Sequence, residues 1–269
     1  MPIHYEKEDD HIVLITIDRP EAKNALDFQH FHDLAESWQR FRDDDDAWVA
    51  IVTGVQRCFM AGADLKTYIP EITALQQQIK EGAGEHPNGW RLRDGTDAVL
   101  RKVDLFKPII AAVNGPCVAG GMEMLGGVDI RLATEHATFG VLEPARGLFA
   151  GGGTTARLPR QIALPHAMEF LLTADRFSAE DALRMGLINR IVPEESLLDE
   201  ARAFAKRITK NAPLAVQATK ESVVRGMLTD LDGAYKIEQQ LSSKIFSTED
   251  AKEGPKAFAE KRAPVWKAR

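Results

Sequence analysis

Short runs of aliphatic and β-branched residues constrain this chain more than any other feature in it. Ile12–Ile17, residues 48–53 and Ile109–Val113 are apolar at nearly every position. A strand with one wet face alternates apolar and polar residues. These runs do not, so they read as strands buried on both faces. Arg19-Pro20 closes the first, Gly54 the second and Asn114-Gly115 the third, and a fourth short run at 129–133 follows a Gly-rich helix. Between the first two runs, Phe28, Phe31, Leu34, Trp38 and Phe41 fall at helical spacing and predict a helix over 27–41. Apolar strands alternating with helices predict an α/β architecture built on a parallel sheet.

Beyond residue 156 the pattern becomes helical, over 178–185, 195–209, 213–226 and 228–245. Ser178 with Asp181 three residues later has the form of an N-cap followed by an acid in the first turn. The expected organisation is a core over residues 1–200 and a helical region over 201–269. A chain of 269 residues buries a sizeable core without disulfides or metals. Its two cysteines, Cys58 and Cys117, sit in apolar or Gly-rich settings without metal-ligand spacing, so a reducing, cytoplasmic compartment is expected. The formal net charge of −6 argues against nucleic acid as the main partner. No apolar run approaches the ~20 residues of a membrane span. The early acids Glu6, Glu8, Asp9 and Asp10 do not suit a targeting peptide, and the aspartates at 43–46 read as a solvated turn.

Three segments carry candidate chemistry. Phe59-Met60-Ala61-Gly62-Ala63-Asp64-Leu65-Lys66 follows a strand and a short loop. Asn114-Gly115-Pro116-Cys117-Val118-Ala119-Gly120-Gly121-Met122-Glu123 is the second, and Phe139-Gly140-Val141-Leu142-Glu143-Pro144 the third. Taken singly, each has a plain structural reading: a tight loop, a close helix contact, a surface acid. Asp64 reads first as a cap for the next helix. Together they offer more. Small residues in two strand-to-helix loops let the backbone approach a ligand closely. Exposed N–H groups at a helix start suit developing negative charge, and two glutamates follow within reach of acid/base work. Competing motifs are poor. Gly151, Gly153 and Ala156 fit a dinucleotide fingerprint with Asp175 downstream, but residues 146–150 make no convincing buried strand. There is no nucleophile elbow, P-loop or zinc-helix motif, and the seven histidines are scattered.

The order of these motifs resembles the crotonase (enoyl-CoA hydratase/isomerase) superfamily. It runs from Arg19-Pro20 and Asn24-Ala25-Leu26 through the three segments to Gly151-Gly152-Gly153-Thr154. It continues through Leu172-Thr173-Ala174-Asp175-Arg176-Phe177-Ser178 and Gly186-Leu187-Ile188-Asn189, so it covers nearly the whole chain. The resemblance implies a spiral core of β-β-α turns with a helical C-terminal region that serves oligomerisation and covers the coenzyme A pocket. It implies a homotrimer, or a hexamer made as a dimer of trimers. It also implies that the N–H groups of Ala63 and Gly120 bind a thioester oxygen, and that Glu123 and Glu143 serve as the acid/base pair. Isomerase-type members often retain only the second carboxylate, so retention of both favours an enoyl-CoA hydratase. Coenzyme A would then enter as part of the acyl-CoA substrate, with no resident cofactor and no metal. Alternatives within the family are an isomerase or a specialised hydroxyacyl-CoA dehydratase. Outside that chemistry stand a non-catalytic binding protein on the same fold and a serine hydrolase on a related spiral.

The same resemblance places Lys66 near the coenzyme A phosphates, with Leu65 and Asp64 in the same loop motif. It places Ala25 and Ala61 at the adenine-binding surface and Gly151 near the catalytic water. Lys256, Lys261 and Arg262 are candidates for phosphate contacts across a subunit boundary. Two positions depart from the common pattern: Leu142, where many relatives have proline, and Met60, where the usual residue is smaller. Residues 67–96 are expected to form the acyl end of the pocket. Tyr68, Ile69, Ile72, Leu75 and Ile79 fit a short amphipathic helix, a flexible stretch follows at 81–85, and Trp90 is expected to close one end of the cavity.

Overall fold

The computed structural model describes residues 3–80, 88–101 and 103–269. The first two strands, β1 (Ile3–Lys7) and β2 (Ile12–Ile17), pair antiparallel. Helix α1 (Phe28–Asp43) follows, capped by Asp27, whose carboxylate accepts from His30 N at 3.0 Å. Next come β3 (Val49–Gly54), α2 (Tyr68–Lys80), α3 (Asp94–Ala98), β4 (Ile109–Val113), β5 (Cys117–Val118), α4 (Gly120–Leu125), β6 (Ile130–Ala133) and β7 (Thr138–Gly140). The remainder is α5 (Thr154–Gln161), α6 (Leu164–Thr173), β8 (Phe177–Ser178), α7 (Ala179–Arg184), β9 (Arg190–Ile191), α8 (Leu197–Thr209), α9 (Pro213–Gly226), α10 (Leu231–Phe246) and α11 (Glu249–Ala259).

The main sheet has the order β1-β2-β3-β4-β6-β9, parallel except at β1. A second, smaller sheet joins β5, β7 and β8, and isolated bridges extend it from Cys117 to Met60 and from Ala63 to Leu26. The chain thus alternates between the two sheets. After β3 it enters the second row at Met60, after β4 at β5, and after β6 at β7. Helices separate these pairs of strands, which makes the expected spiral of β-β-α turns.

The uninterrupted apolar runs have a direct explanation. Neighbouring residues of a strand point to opposite faces. Ala50, Val52, Ala111 and Val113 pack in one core with Phe31, Leu34, Trp38 and Phe41 of α1. Val49, Ile51 and Ile110 pack in a second core under α8, whose Leu197, Ala201 and Ala205 form its apolar stripe. Both faces are covered, so neither face of the strand can be polar.

The boundary expected at residue 200 falls inside α8, and that helix lies on the sheet. The chain leaves the core further on, at α9 and α10, which pack against each other. Asp230 caps α10 by accepting from Gly233 N at 2.8 Å, and Thr248 caps α11 by accepting from Ala251 N at 3.1 Å. The tail then returns. Asp250, 3% exposed, accepts from the backbone N–H groups of Lys267 and Ala268, and Trp266 donates to Lys210 O. The aspartates at 43–46 are less free than expected, since Asp44 and Asp46 both pair with Lys7. Among the described residues no helix is long and apolar enough to cross a membrane.

Candidate active site

A cavity of about 540 Å³ opens between the loop after β3, the start of α4, the segment 142–152 and the wall formed by α2 and α3. Its floor is set by close backbone packing. Gly62 has φ +96°, and a Cβ there would lie 2.8 Å from Ala119 Cβ and 2.9 Å from Gly120 N. A Cβ on Gly121 would meet Met60 O at 2.5 Å. The plain reading of these glycines and the functional one therefore coincide: contact between the two loops brings Ala63 and Gly120 to one cavity. Ala119 holds φ 51° and ψ −119°, a conformation that suits glycine and costs a side-chain-bearing residue about 1–3 kcal/mol. That turn sends the chain from β5 into α4, with Gly120 as its first residue. Among the described residues, neither the Ala63 nor the Gly120 N–H donates a hydrogen bond. Two unused donors thus flank the cavity.

Glu123 and Glu143 both line it. Glu123 lies one turn into α4. Burial pushes its carboxyl up from 4.5 to about 7, the Gly152 N–H donates to its Oε1 and opposes that shift, and repulsion from Glu143 adds to it. A Cβ on Gly152 would overlap the carboxylate, so only glycine allows this approach. Burial also raises the Glu143 carboxyl, against the pull of backbone N–H groups at Leu142 and Glu143. Its Oε2 is buried without a hydrogen-bond partner among the described residues. Desolvation of this kind favours the protonated form of the carboxyl.

The cavity wall includes Ala61, Ala63, Leu65, Gly120, Glu123, Glu143 and Gly151, seven of the positions expected from the sequence. Others lie elsewhere. Asp64 turns away, pairing with Arg19 Nη1 at 2.9 Å and accepting from Lys66 N at 3.0 Å, so it braces the loop. Ala25 sits beside it, its carbonyl held by Arg19 Nη1 at 2.8 Å, outside the cavity wall. Lys66 is exposed. Trp90 corrects the expectation placed on it. Its indole does not close the cavity but stacks on Phe28, ring centroids 5.0 Å apart. Phe28 in turn packs against Tyr68, so the tryptophan supports the wall from behind. The physical reason is that a large aromatic surface finds more contact on Phe28 than at an open mouth. The stretch at 81–85 lies outside the described residues.

α2 does present Tyr68, Ile69, Ile72 and Gln76 to the cavity. The sequence reading missed Gly152, although the Gly151-Gly152-Gly153 run signals close approach. It also missed Arg157, whose guanidinium donates to the carbonyls of Val99, Leu100 and Glu123 and so ties α4 to the segment after α3.

Comparison with known proteins agrees with this geometry. The family model described as enoyl-CoA hydratase/isomerase matches residues 7–269. An enoyl-CoA hydratase of Mycobacterium tuberculosis is 40% identical over 265 residues, covering 96% of this chain and 94% of that one. The (E)-benzylidenesuccinyl-CoA hydratase of Thauera aromatica is 39% identical over 268 residues, covering 99% of each. The crystal structure of an enoyl-CoA hydratase from Bacillus anthracis superposes with a TM-score of 0.88 at 31% identity over 100% of both chains. With spiral, paired loops and paired glutamates all in the order that the motifs laid out, the chain belongs to the enoyl-CoA hydratase/isomerase family.

Proposed function

We propose that this protein is a lyase that adds water across the 2,3 double bond of an enoyl-CoA thioester. One observation carries the reading: two half-buried carboxyls, both raised above the usual carboxylate range by desolvation, share a cavity with two unused backbone donors. A thioester carbonyl conjugated to a double bond makes its β-carbon electrophilic. The ionised Glu123 takes a proton from water as the water oxygen bonds to the β-carbon. The displaced electron pair moves to the thioester oxygen as an enolate, and the Ala63 and Gly120 N–H groups stabilise that oxygen. Protonated Glu143 then gives its proton to the α-carbon. Return of the proton from Glu123 to Glu143 completes the cycle. One such backbone donor is worth about 3–4 kcal/mol in the transition state.

Two acid/base carboxyls favour hydration over double-bond isomerisation, for which one shuttling carboxyl suffices. Coenzyme A would arrive within the substrate, its phosphates toward exposed Lys66 and its adenine toward Ala25 and Ala61. Assembly as a homotrimer or hexamer is part of the same reading. The exposed Met227, Leu228, Leu231, Tyr235, Phe246 and Phe258 support it, because so much apolar surface on one helical region marks a contact between chains. A cytoplasmic location fits the two free, buried cysteines.

The test is loss of conjugated-thioester absorbance with short, medium and aromatic 2-enoyl-CoA substrates, with the 3-hydroxyacyl product identified. Replacing Glu143 with glutamine should lower kcat by roughly 10²–10⁴-fold. Turnover of 3-enoyl-CoA but not of 2-enoyl-CoA would replace hydration by isomerisation.

A further inference from the structure

We infer that Tyr68 sets specificity by presenting a fixed hydrogen-bond donor to the acyl group, so that the preferred substrates carry a neutral oxygen beyond the reacting double bond. The inference rests on the cavity being the acyl pocket of the proposed hydratase. Tyr68 lines that cavity in a stretch of wall shared with Ile69, Ile72, Gln76, Leu92 and Thr96. Its ring is clamped by Phe31, 4.4 Å between centroids, and by Phe28 at 5.1 Å, with Trp90 stacked behind Phe28. The hydroxyl therefore has little freedom to turn away. Among the described residues it has no hydrogen-bond partner. A polar group left without a protein partner at a cavity wall leaves a hydrogen bond to be made by whatever fills the cavity.

The backbone makes room for this hydroxyl. A Cβ on Gly95 would overlap the Tyr68 oxygen, so glycine in α3 allows the phenol to reach the cavity. The surroundings also decide what the hydroxyl can bind. Burial, with Asp94 and Glu123 nearby, pushes the phenol up to about 12, so at neutral pH it keeps its proton and can donate it in a hydrogen bond. Glu123, when ionised, repels a carboxylate brought to this hydroxyl, while Arg91 neutralises Asp94. A ketone, hydroxyl or ether oxygen on the acyl chain meets the donor without that repulsion. Arg91 and His32 both bind Asp94, at 2.8 Å each, and hold it buried behind the wall.

The test uses chain-matched pairs of acyl-CoA thioesters, alike except for one neutral oxygen or one carboxylate on the distal acyl chain. Saturated, non-reacting pairs are titrated by calorimetry, and the 2-enoyl pairs are followed by kcat/KM. Wild type should favour the neutral-oxygen member over the plain one by roughly 3–10-fold, the range of one net hydrogen bond, and should disfavour the carboxylate. Tyr68→Phe keeps the ring and should remove that preference, bringing the ratio between the two members of each pair to about one. Gly95→Ala, which displaces the hydroxyl, should also remove the preference. Equal loss on both members of a pair in Tyr68→Phe would make Tyr68 a general structural or catalytic residue and overturn the proposal. So would an unchanged preference, or a preference for the carboxylate. Absence of turnover with the binding preference intact would count against hydration and leave the Tyr68 assignment standing.

Discussion

Glu123→Gln separates the energetic consequence of the buried carboxyl from its chemical use. The native carboxyl is raised from 4.5 to about 7. The unfolded chain has no such environment, so between these values the folded state binds the proton more tightly. Stability contributed by this group is then greatest below about pH 4.5, declines as pH rises through about 7, and is fully lost above it. At ~1.4 kcal/mol per unit, a rise of this size corresponds to about 3 kcal/mol of destabilisation at alkaline pH. Glutamine resembles the protonated acid in shape and can still accept from the Gly152 N–H, yet it does not titrate. The variant should match wild type at pH 4.5–5 and exceed it by about 2–3 kcal/mol at pH 8.5. For a chain of this size that is roughly a 4–6 °C rise in Tm. Thermal unfolding of the two proteins side by side from pH 5 to 8.5 measures the difference, and pH effects common to both cancel. The same variant should lose roughly 10²–10⁴-fold in kcat. A stability difference independent of pH, or a variant less stable than wild type at pH 8.5, would refute the account of Glu123 as a desolvated, raised carboxyl.

The pH profile of kcat/KM should show an acid limb near 7 rather than near 4.5, because Glu123 must be ionised to accept a proton from water; a limb in the ordinary carboxylate range, seen in steady-state rates, would contradict this. Gly152→Ala should displace Glu123 and lower kcat by roughly 10²-fold, the usual penalty of a misplacement of about 1 Å, with circular dichroism unchanged. Ile72→Ala should shift chain-length preference in kcat/KM. Trp90→Ala should instead cost up to about 3 kcal/mol of stability in denaturant unfolding and leave that preference nearly unmoved, because Trp90 supports the wall without forming it.

Much of this protein was legible in the sequence, for reasons that are local. The runs at Ile12–Ile17 and Ile109–Val113 announce strands covered on both faces, because no polar residue marks a wet side. Ser178 announces a helix start, because capping is a contact between residues three apart. Glu123 and Glu143 were visible through the order of motifs around them. Short elements such as β5, β8 and β9 were not, since two residues carry no period and exist only because a neighbouring strand pairs with them. Tertiary structure alone decided what required distant segments to meet. It set Gly152 against Glu123 across 29 residues, and Arg157 under α4. It turned Trp90 from the cavity onto Phe28, 62 residues earlier in the chain. It also gave Tyr68, read as one apolar residue of an amphipathic helix, a hydroxyl open to the cavity beside Gly95. Residue type and spacing report which groups a segment can offer. Which of those groups are desolvated, paired or left facing a cavity depends on packing between segments far apart in the chain, and a carboxyl raised to about 7 is a property of that packing.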